Sequence, residues 1–251
     1  MYVDVKALVI KEQKKGENGK LLTVITPSRG ALTVSVRGGV SVSSRFFAPC
    51  QLFAYSDMTL FKRGNYYTLI EAKIIDVFFE LNKSLTTLSL ACWMCDVMKN
   101  YSIGDEEQGE QFRLLLNSLW YLSRSPEKHK SIKTVFELRT LFLSGFCPEF
   151  ACSGCGLPIE NDAVINCETG EFFCPGCFPE ASRAVSPYFR LTKDMISYMI
   201  YIACCPPKKI FAYQSGNDLE SALAPVSERF FISMSGINSD KLTFYKNTLL
   251  D

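Results

Sequence analysis

VKALVIKEQKKGENGKLLTVITPSRGALTVSVRGG, residues 5–39, is a series of apolar runs rich in Val, Ile, Leu and Thr, parted by Gly, Asn, Pro and Ser. Short β-branched runs bounded by such turn residues predict strands. QLFAYSDMTLFKR (51–63) and YYTLIEAKIIDVFF (66–79) continue the pattern. Five short strands in so few residues suit a small closed barrel of the OB type, because closure removes edges that an open sheet of this size would leave unpaired.

After Phe79 the period changes. Leu85, Leu88, Cys92, Cys95 and Met98 recur at spacings of three and four, as do Phe112, Leu115, Leu116, Leu119 and Leu122, and then Val135, Leu138, Leu141 and Phe142. That spacing predicts three amphipathic helices. Gly145 followed by Pro148 ends the third. A further helix is expected over about 190–204, with two weaker ones near 218–234 and 239–250. The expected class is α+β and multidomain, with an N-terminal OB-fold β-barrel (1–79), a helical-bundle domain in two parts (80–149 and 183–251) and an embedded four-cysteine zinc-knuckle module (150–182).

Apolar residues make up 47% of the 251 and charged residues 21%, which is ordinary globular composition. The net charge of +1 hides an asymmetry. Residues 1–75 hold eleven Lys/Arg against five Asp/Glu, and the remainder sixteen against twenty-one. Asp4 and Lys6 interrupt the first apolar stretch, unlike a secretory signal, and the run MISYMIYIACC (195–205) is short of the roughly 20 residues needed to span a bilayer. A soluble, cytoplasmic protein with no membrane partner is expected. In a reducing compartment, cysteines at metal-ligand spacing are read as ligands before disulfides.

Five of the eleven cysteines lie in CSGCGLPIENDAVINCETGEFFCPGC, residues 152–177. Cys152, Cys155, Cys174 and Cys177 have the spacing C-x2-C-x18-C-x2-C. Two such turns supply four thiolates, the tetrahedral set that zinc favours, and leave no open position for a water. One structural Zn2+ is therefore expected. Cys167 is left as a spare thiol, because a fifth sulfur has no place in that shell.

Signatures of catalysis do not emerge. Cys92 and Cys95 form a C-x-x-C inside a helical pattern and read as small core residues, as do Cys204 and Cys205. The single histidine, His129, sits in the polar SPEKHKS and reads as a solvated residue. KKGENGK (14–20) lacks the spacing of a phosphate loop, and G-x-S-x-G is absent. The expectation is a binding protein rather than an enzyme.

The basic barrel segment carries Lys11, Lys14, Lys15, Lys20, Arg29, Arg37, Arg45, Lys62 and Arg63, interleaved with Phe46, Phe47, Phe53, Tyr55, Phe61, Tyr66 and Tyr67. Small OB barrels hold single strands with a cationic groove for phosphates and aromatic rings for bases. These nine cations are the candidate nucleic-acid contacts.

FELRTLFLSGFCPEFACSGCG (136–156) resembles the bacterial recombination mediator family RecO. The likeness rests on Phe136, Glu137, Leu138 and Arg139, then Gly145, Phe146, Pro148, Cys152, Cys155 and Gly156, with Gly170 before FFC. GENGKLLTVITPSRGALTVSVRGG (16–39) resembles the family's barrel through Glu17, Thr26, Gly30 and Arg37-Gly38, and Ser44-Arg45 resembles a recurrent pair. The likeness runs from about residue 3 to 205. It implies an OB fold, a helical domain and a zinc module; binding of single- and double-stranded DNA; annealing of complementary strands; and work with RecR to load RecA onto DNA coated by the single-stranded-DNA-binding protein, at the nucleoid. It also implies a site for an acidic partner tail, for which Lys133 and Arg139 are the candidate cations. Where relatives carry several basic residues between Gly38 and Ser44, this chain reads GVSVS.

The rival reading is a zinc-ribbon RNA-binding or transcription-associated adaptor whose knuckle touches nucleic acid. Residues 152–177 contain no Lys or Arg but four acids, Glu160, Asp162, Glu168 and Glu171, which repel a phosphate backbone. A thiol oxidoreductase using Cys174 and Cys177 is a more distant alternative.

Overall fold

A computed structural model describes residues 1–39, 41–101, 109–178, 187–213, 216–237 and 240–250. They divide into two compact units, one of Met1–Arg124 with the C-terminal segment from Lys241, the other Ser125–Asp240. The boundary at Arg124 falls inside the stretch expected as the first part of a helical domain. Val40, in GVSVS, and the end of the expected zinc module beyond residue 178 lie outside the described residues.

In the first unit, β1 (Tyr2–Lys15), β2 (Gly19–Thr26), β3 (Gly30–Arg37), β4 (Ala54–Arg63) and β5 (Tyr66–Val77) close a barrel in the order β1-β2-β3-β5-β4. β1 serves two neighbours. Its first half pairs with β4, from Tyr2↔Phe61 to Leu8↔Tyr55, and its second half with β2, as far as Lys15↔Gly19. The change of partner coincides with a register shift between Val9 and Lys11, a bulge that sharpens the bend. β3 and β5 meet in parallel at Val34↔Tyr67 and Ser35↔Thr68 and seal the barrel.

The alternation that marked these runs as strands also decides which way they face. Val3, Val5, Ala7, Leu22, Val24, Val34, Val36, Met58 and Leu60 fill the interior. Gly64 and Asn65 join β4 to β5 between the paired Arg63 and Tyr66. Gly64 takes a φ of +60°, which a two-residue hairpin of this kind requires at its first position.

α1 (Leu85–Tyr101) and α2 (Gly109–Arg124) follow. α1 buries Leu90, Trp93, Met94, Val97 and Met98, and α2 buries Phe112, Leu115, Leu119 and Leu122. The Phe112 ring lies 5.8 Å from Tyr55 of β4. α6 (Asp240–Asn247) joins the same unit, with the Lys241 ammonium 2.9 Å from Asp96 of α1.

The second unit is built on α3 (His129–Leu143), packed against α4 (Lys193–Cys204) and α5 (Asn217–Ser235). Every side chain from Ser131 to Leu138 is buried, so α3 is enclosed on all sides. A small sheet of order β7-β6-β8 completes it, with β6 (Ala163–Asn166), β7 (Phe172–Phe173) and β8 (Tyr188–Leu191). The chain is thus an OB-fold barrel with helical parts and a four-cysteine module. Among the described residues, no helix is long and apolar enough to cross a membrane.

Candidate metal centre and nucleic-acid interface

The two C-x-x-C turns are shaped by their own backbone. Gly156 N–H donates to the Cys152 carbonyl at 2.7 Å, and the N–H groups of Cys177 and Phe178 converge on the Cys174 carbonyl at 3.0 and 3.1 Å. The β6–β7 hairpin brings the second turn to the first. Ser153 N–H donates to the Phe172 carbonyl at 2.8 Å, and Cys174 N–H lies 3.3 Å from Cys152 Sγ. The four Sγ atoms of Cys152, Cys155, Cys174 and Cys177 all come within 4.8 Å of one another. Gly154 makes the approach possible, since a Cβ there would lie 2.7 Å from Cys177 Cβ and 3.2 Å from its sulfur.

The thiols are polarised in opposite senses. Burial pushes Cys152 up, but the N–H groups of Cys174, Cys155 and Gly154 outweigh it and hold the thiol at about 6. Hydrogen bonding with Cys174, Cys155 and Cys152 pushes Cys177 up to about 12. Four thiolates at this separation need a cation among them, and the four cysteines are positioned to hold a metal ion. Cys167 stays apart, fully buried with its thiol pushed up to about 12 by burial, and its sulfur faces the Val226 carbonyl at 3.9 Å.

The nine barrel cations separate by register and by partner. Directly opposed residues share a sheet face, as do residues two apart on one strand. Gln13↔Leu21↔Ser35↔Thr68↔Phe61↔Tyr2 is one continuous outward row around the barrel. Lys11 and Lys15 flank Gln13 on β1, and Arg37 flanks Ser35 on β3, opposite Gly19 and in line with Lys15. All three are exposed, and between them lie Gln13, the half-buried Leu21 and the short side chains Thr23, Thr33 and Ser35. The Lys15 ammonium lies 3.5 Å from Ser35 Oγ.

The others stand elsewhere. Lys20 is on the inward face opposite Val36, with only 12% of its side chain exposed and its ammonium 2.6 Å from a Glu12 carboxylate oxygen. Lys62 lies over the Tyr67 ring at 5.6 Å, and the Arg45 guanidinium covers Phe46 at 4.7 Å while donating to the Ile70 carbonyl. Arg29 is half-buried in the β2–β3 turn, at the other end of β3 from Arg37. Lys14 and Arg63 are exposed, the latter on the outward face opposite Tyr66.

Lys133 and Arg139 differ from the expectation of cations beside a partner groove. Lys133 is buried, with its ammonium 2.6 Å from Glu137 and 2.8 Å from Glu228. A lone charge at that depth would be costly, which is why two carboxylates surround it. Arg139 donates to the Ile202 and Ala203 carbonyls at the end of α4, where a helix terminus leaves acceptors unsatisfied. His129 is half-buried rather than solvated, with its imidazole lowered by burial and by Lys130. Cys95 and Cys205 are buried as expected, whereas Cys204 is exposed.

Residues 1–78 match the sequence profile described as Recombination protein O N terminal, and residues 82–205 match Recombination protein O C terminal. The two matches meet at the short turn of 3-10 helix, Phe79–Lys83, that follows β5. The DNA repair protein RecO of Acetivibrio thermocellus is 25% identical over 246 residues, which cover 98% of this chain and 96% of that one. RecO of Clostridium acetobutylicum is 22% identical over 231 residues, 92% of this chain and 91% of its own. RecO of Heliobacterium modesticaldum is 31% identical over 156 residues, 62% and 56% of the two chains. Barrel, helices and cysteine turns fall in this order within matches that run almost end to end, and the chain belongs to the RecO family of DNA repair proteins.

Proposed function

We propose that the chain is a recombination mediator. It binds single- and double-stranded DNA, anneals complementary strands and, with RecR, helps to load RecA onto strands coated by the single-stranded-DNA-binding protein. The observation that carries the DNA-binding part is the outward face of β1, β2 and β3, where Lys11, Lys15 and Arg37 border a floor of Thr23, Thr33 and Ser35 around the half-buried Leu21. Lys11 and Lys15 are about 13 Å apart along the strand, and the short floor lets a phosphate backbone come close. Lys14 and Arg63 extend the positive field, and Lys20, held by Glu12, contributes little to it. Annealing follows from charge neutralisation, because two strands on such a surface repel each other less and release their counterions. The steps that follow need the partners named above, which the resemblance to the family brings to the reading.

The metal is zinc, and its part is structural. Four sulfurs match its preferred donor set, and when bound the ion supplies cross-linking of the two turns rather than chemistry on a substrate. The module's acids, three of them engaged as Glu168 with Arg229, Glu171 with Thr169 and Asp162 with the Lys193 N–H, disfavour the rival reading in which the knuckle holds RNA.

The test is annealing of complementary oligonucleotides coated with single-stranded-DNA-binding protein, with and without RecR. Faster annealing with the protein than without it, and RecA loading that needs both proteins, is the expected result. A protein that leaves annealing at its spontaneous rate would falsify the reading.

A further inference from the structure

We infer that Tyr2, Phe61 and Tyr66 form a base-stacking platform for unpaired nucleotides, at the far end of the outward row from the Lys11, Lys15 and Arg37 face; the inference rests on the DNA-binding reading above. Large rings are ordinarily buried, yet Tyr2 is 66% exposed and Tyr66 is 80% exposed. Tyr2 is directly opposite Phe61, with ring centroids 5.4 Å apart edge to face, and Tyr66 is opposite Arg63. All four project outward, since the residues that alternate with them, Val3, Leu60 and Leu69, are buried in the barrel.

Charge favours a nucleic acid as the occupant. Arg63 stands on the platform itself, directly opposite Tyr66. Ser35 and Thr68, paired across the β3–β5 seam, keep the surface between the rings and Arg37 low. On the other side of the rings Asp4 and Glu71 flank Thr59 in one row, and in the next Asp57 lies between Lys6, which it binds at 2.9 Å, and Lys73, so the excess of positive charge on the platform is on the Arg63 side. Phosphates are therefore favoured on the Arg63 side, while the rings accept uncharged base faces. Bases in a duplex are already stacked and paired, so only an unpaired strand uses the platform. The cations alone serve both forms of DNA; the rings distinguish them.

The experiment compares the intact protein with the Tyr2→Ala/Tyr66→Ala variant and the Tyr2→Phe/Tyr66→Phe variant. The ligands are an oligothymidine, an abasic strand of the same length, and a duplex. Thermal midpoints check that each variant is folded. The alanine pair is expected to weaken oligothymidine binding by at least about 10-fold. It should leave the abasic strand and the duplex unaffected, and the phenylalanine pair should bind as the parent does. Equal losses on oligothymidine and the abasic strand would show that the rings do not stack on bases and overturn the inference. So would undiminished oligothymidine binding by the alanine pair, in which case the exposed rings serve another partner and the DNA-binding reading stands. An intact protein that binds none of the three ligands overturns both.

Discussion

Glu137 is fully buried one helical turn from Lys133 on α3, and Ser227 of α5 donates to its second oxygen at 2.7 Å. Burial raises the Glu137 carboxyl against the pull of Lys133 and Ser227, so a low dielectric dominates there. Lys133→Ala leaves that carboxylate without its cation, and urea unfolding is expected to show a loss of about 3–5 kcal/mol, whereas joint replacement of Lys133 by Met and Glu137 by Leu costs much less. The buried thiols give a second outcome at this scale. Burial pushes both Cys50 and Cys167 up to about 12. A folded thiol raised above its unfolded value of 9.0 keeps its proton longer than the unfolded chain does. Stability is therefore undiminished below pH 9 and falls as the pH rises toward 12. Denaturation midpoints across that range should decline less steeply for Cys50→Ala than for the parent, relative to each protein at pH 8; identical slopes would contradict the assignment.

At the scale of elements, the β6–β7 hairpin and its two turns depend on each other. Phe178 of the second turn packs against Phe173 and Tyr188, but the four sulfurs converge on one point, and metal binding of the order of ~10 kcal/mol is expected to hold the two turns together there. Gly154→Ala keeps all four sulfurs but drives a methyl to within 2.7 Å of Cys177 Cβ. The second turn must retreat, and the variant is expected to yield its metal to a chelator at lower concentration than the parent, measured by released ion. Cys174→Ser, which removes a ligand outright, should yield it lower still. The cysteine turns were legible in the sequence because ligand spacing is a local property, and the strands because burial on one side imposes alternation at every second residue. The bulge between Val9 and Lys11 was not legible, although it lets one strand serve β4 and β2. Nor was α3 as an enclosed helix, since its polar residues Lys133, Thr134 and Glu137 make it look like a surface element until α5 supplies Glu228 and Ser227.

At the scale of the molecule, sequence counting gave the barrel its excess of positive charge but could not sort cations by face, because sorting depends on which strands pair and in what register. Lys15 and Arg37 are twenty-two residues apart in sequence and stand in one cross-strand row, while Lys20, five residues from Lys15, faces inward to Glu12. That distinction can be measured. For a single strand, log affinity falls against log salt with a slope of roughly −0.7 for each phosphate contacted. Joint replacement of Lys11, Lys15 and Arg37 by Ala should therefore flatten the slope by about 2, one contact for each cation removed. Lys20→Ala should leave the slope nearly unchanged and instead lower stability, since it strips Glu12 of its partner in a half-buried setting. Arg29→Ala should also leave it unchanged, because the β2–β3 turn is about 23 Å along β3 from Arg37 at the usual rise per residue. Fluorescence anisotropy of a labelled oligonucleotide, titrated from low to moderate salt, reads all three. If Arg29→Ala flattened the slope as much as the triple change, the phosphates would run along the other end of the barrel and the outward face described here would not be the interface.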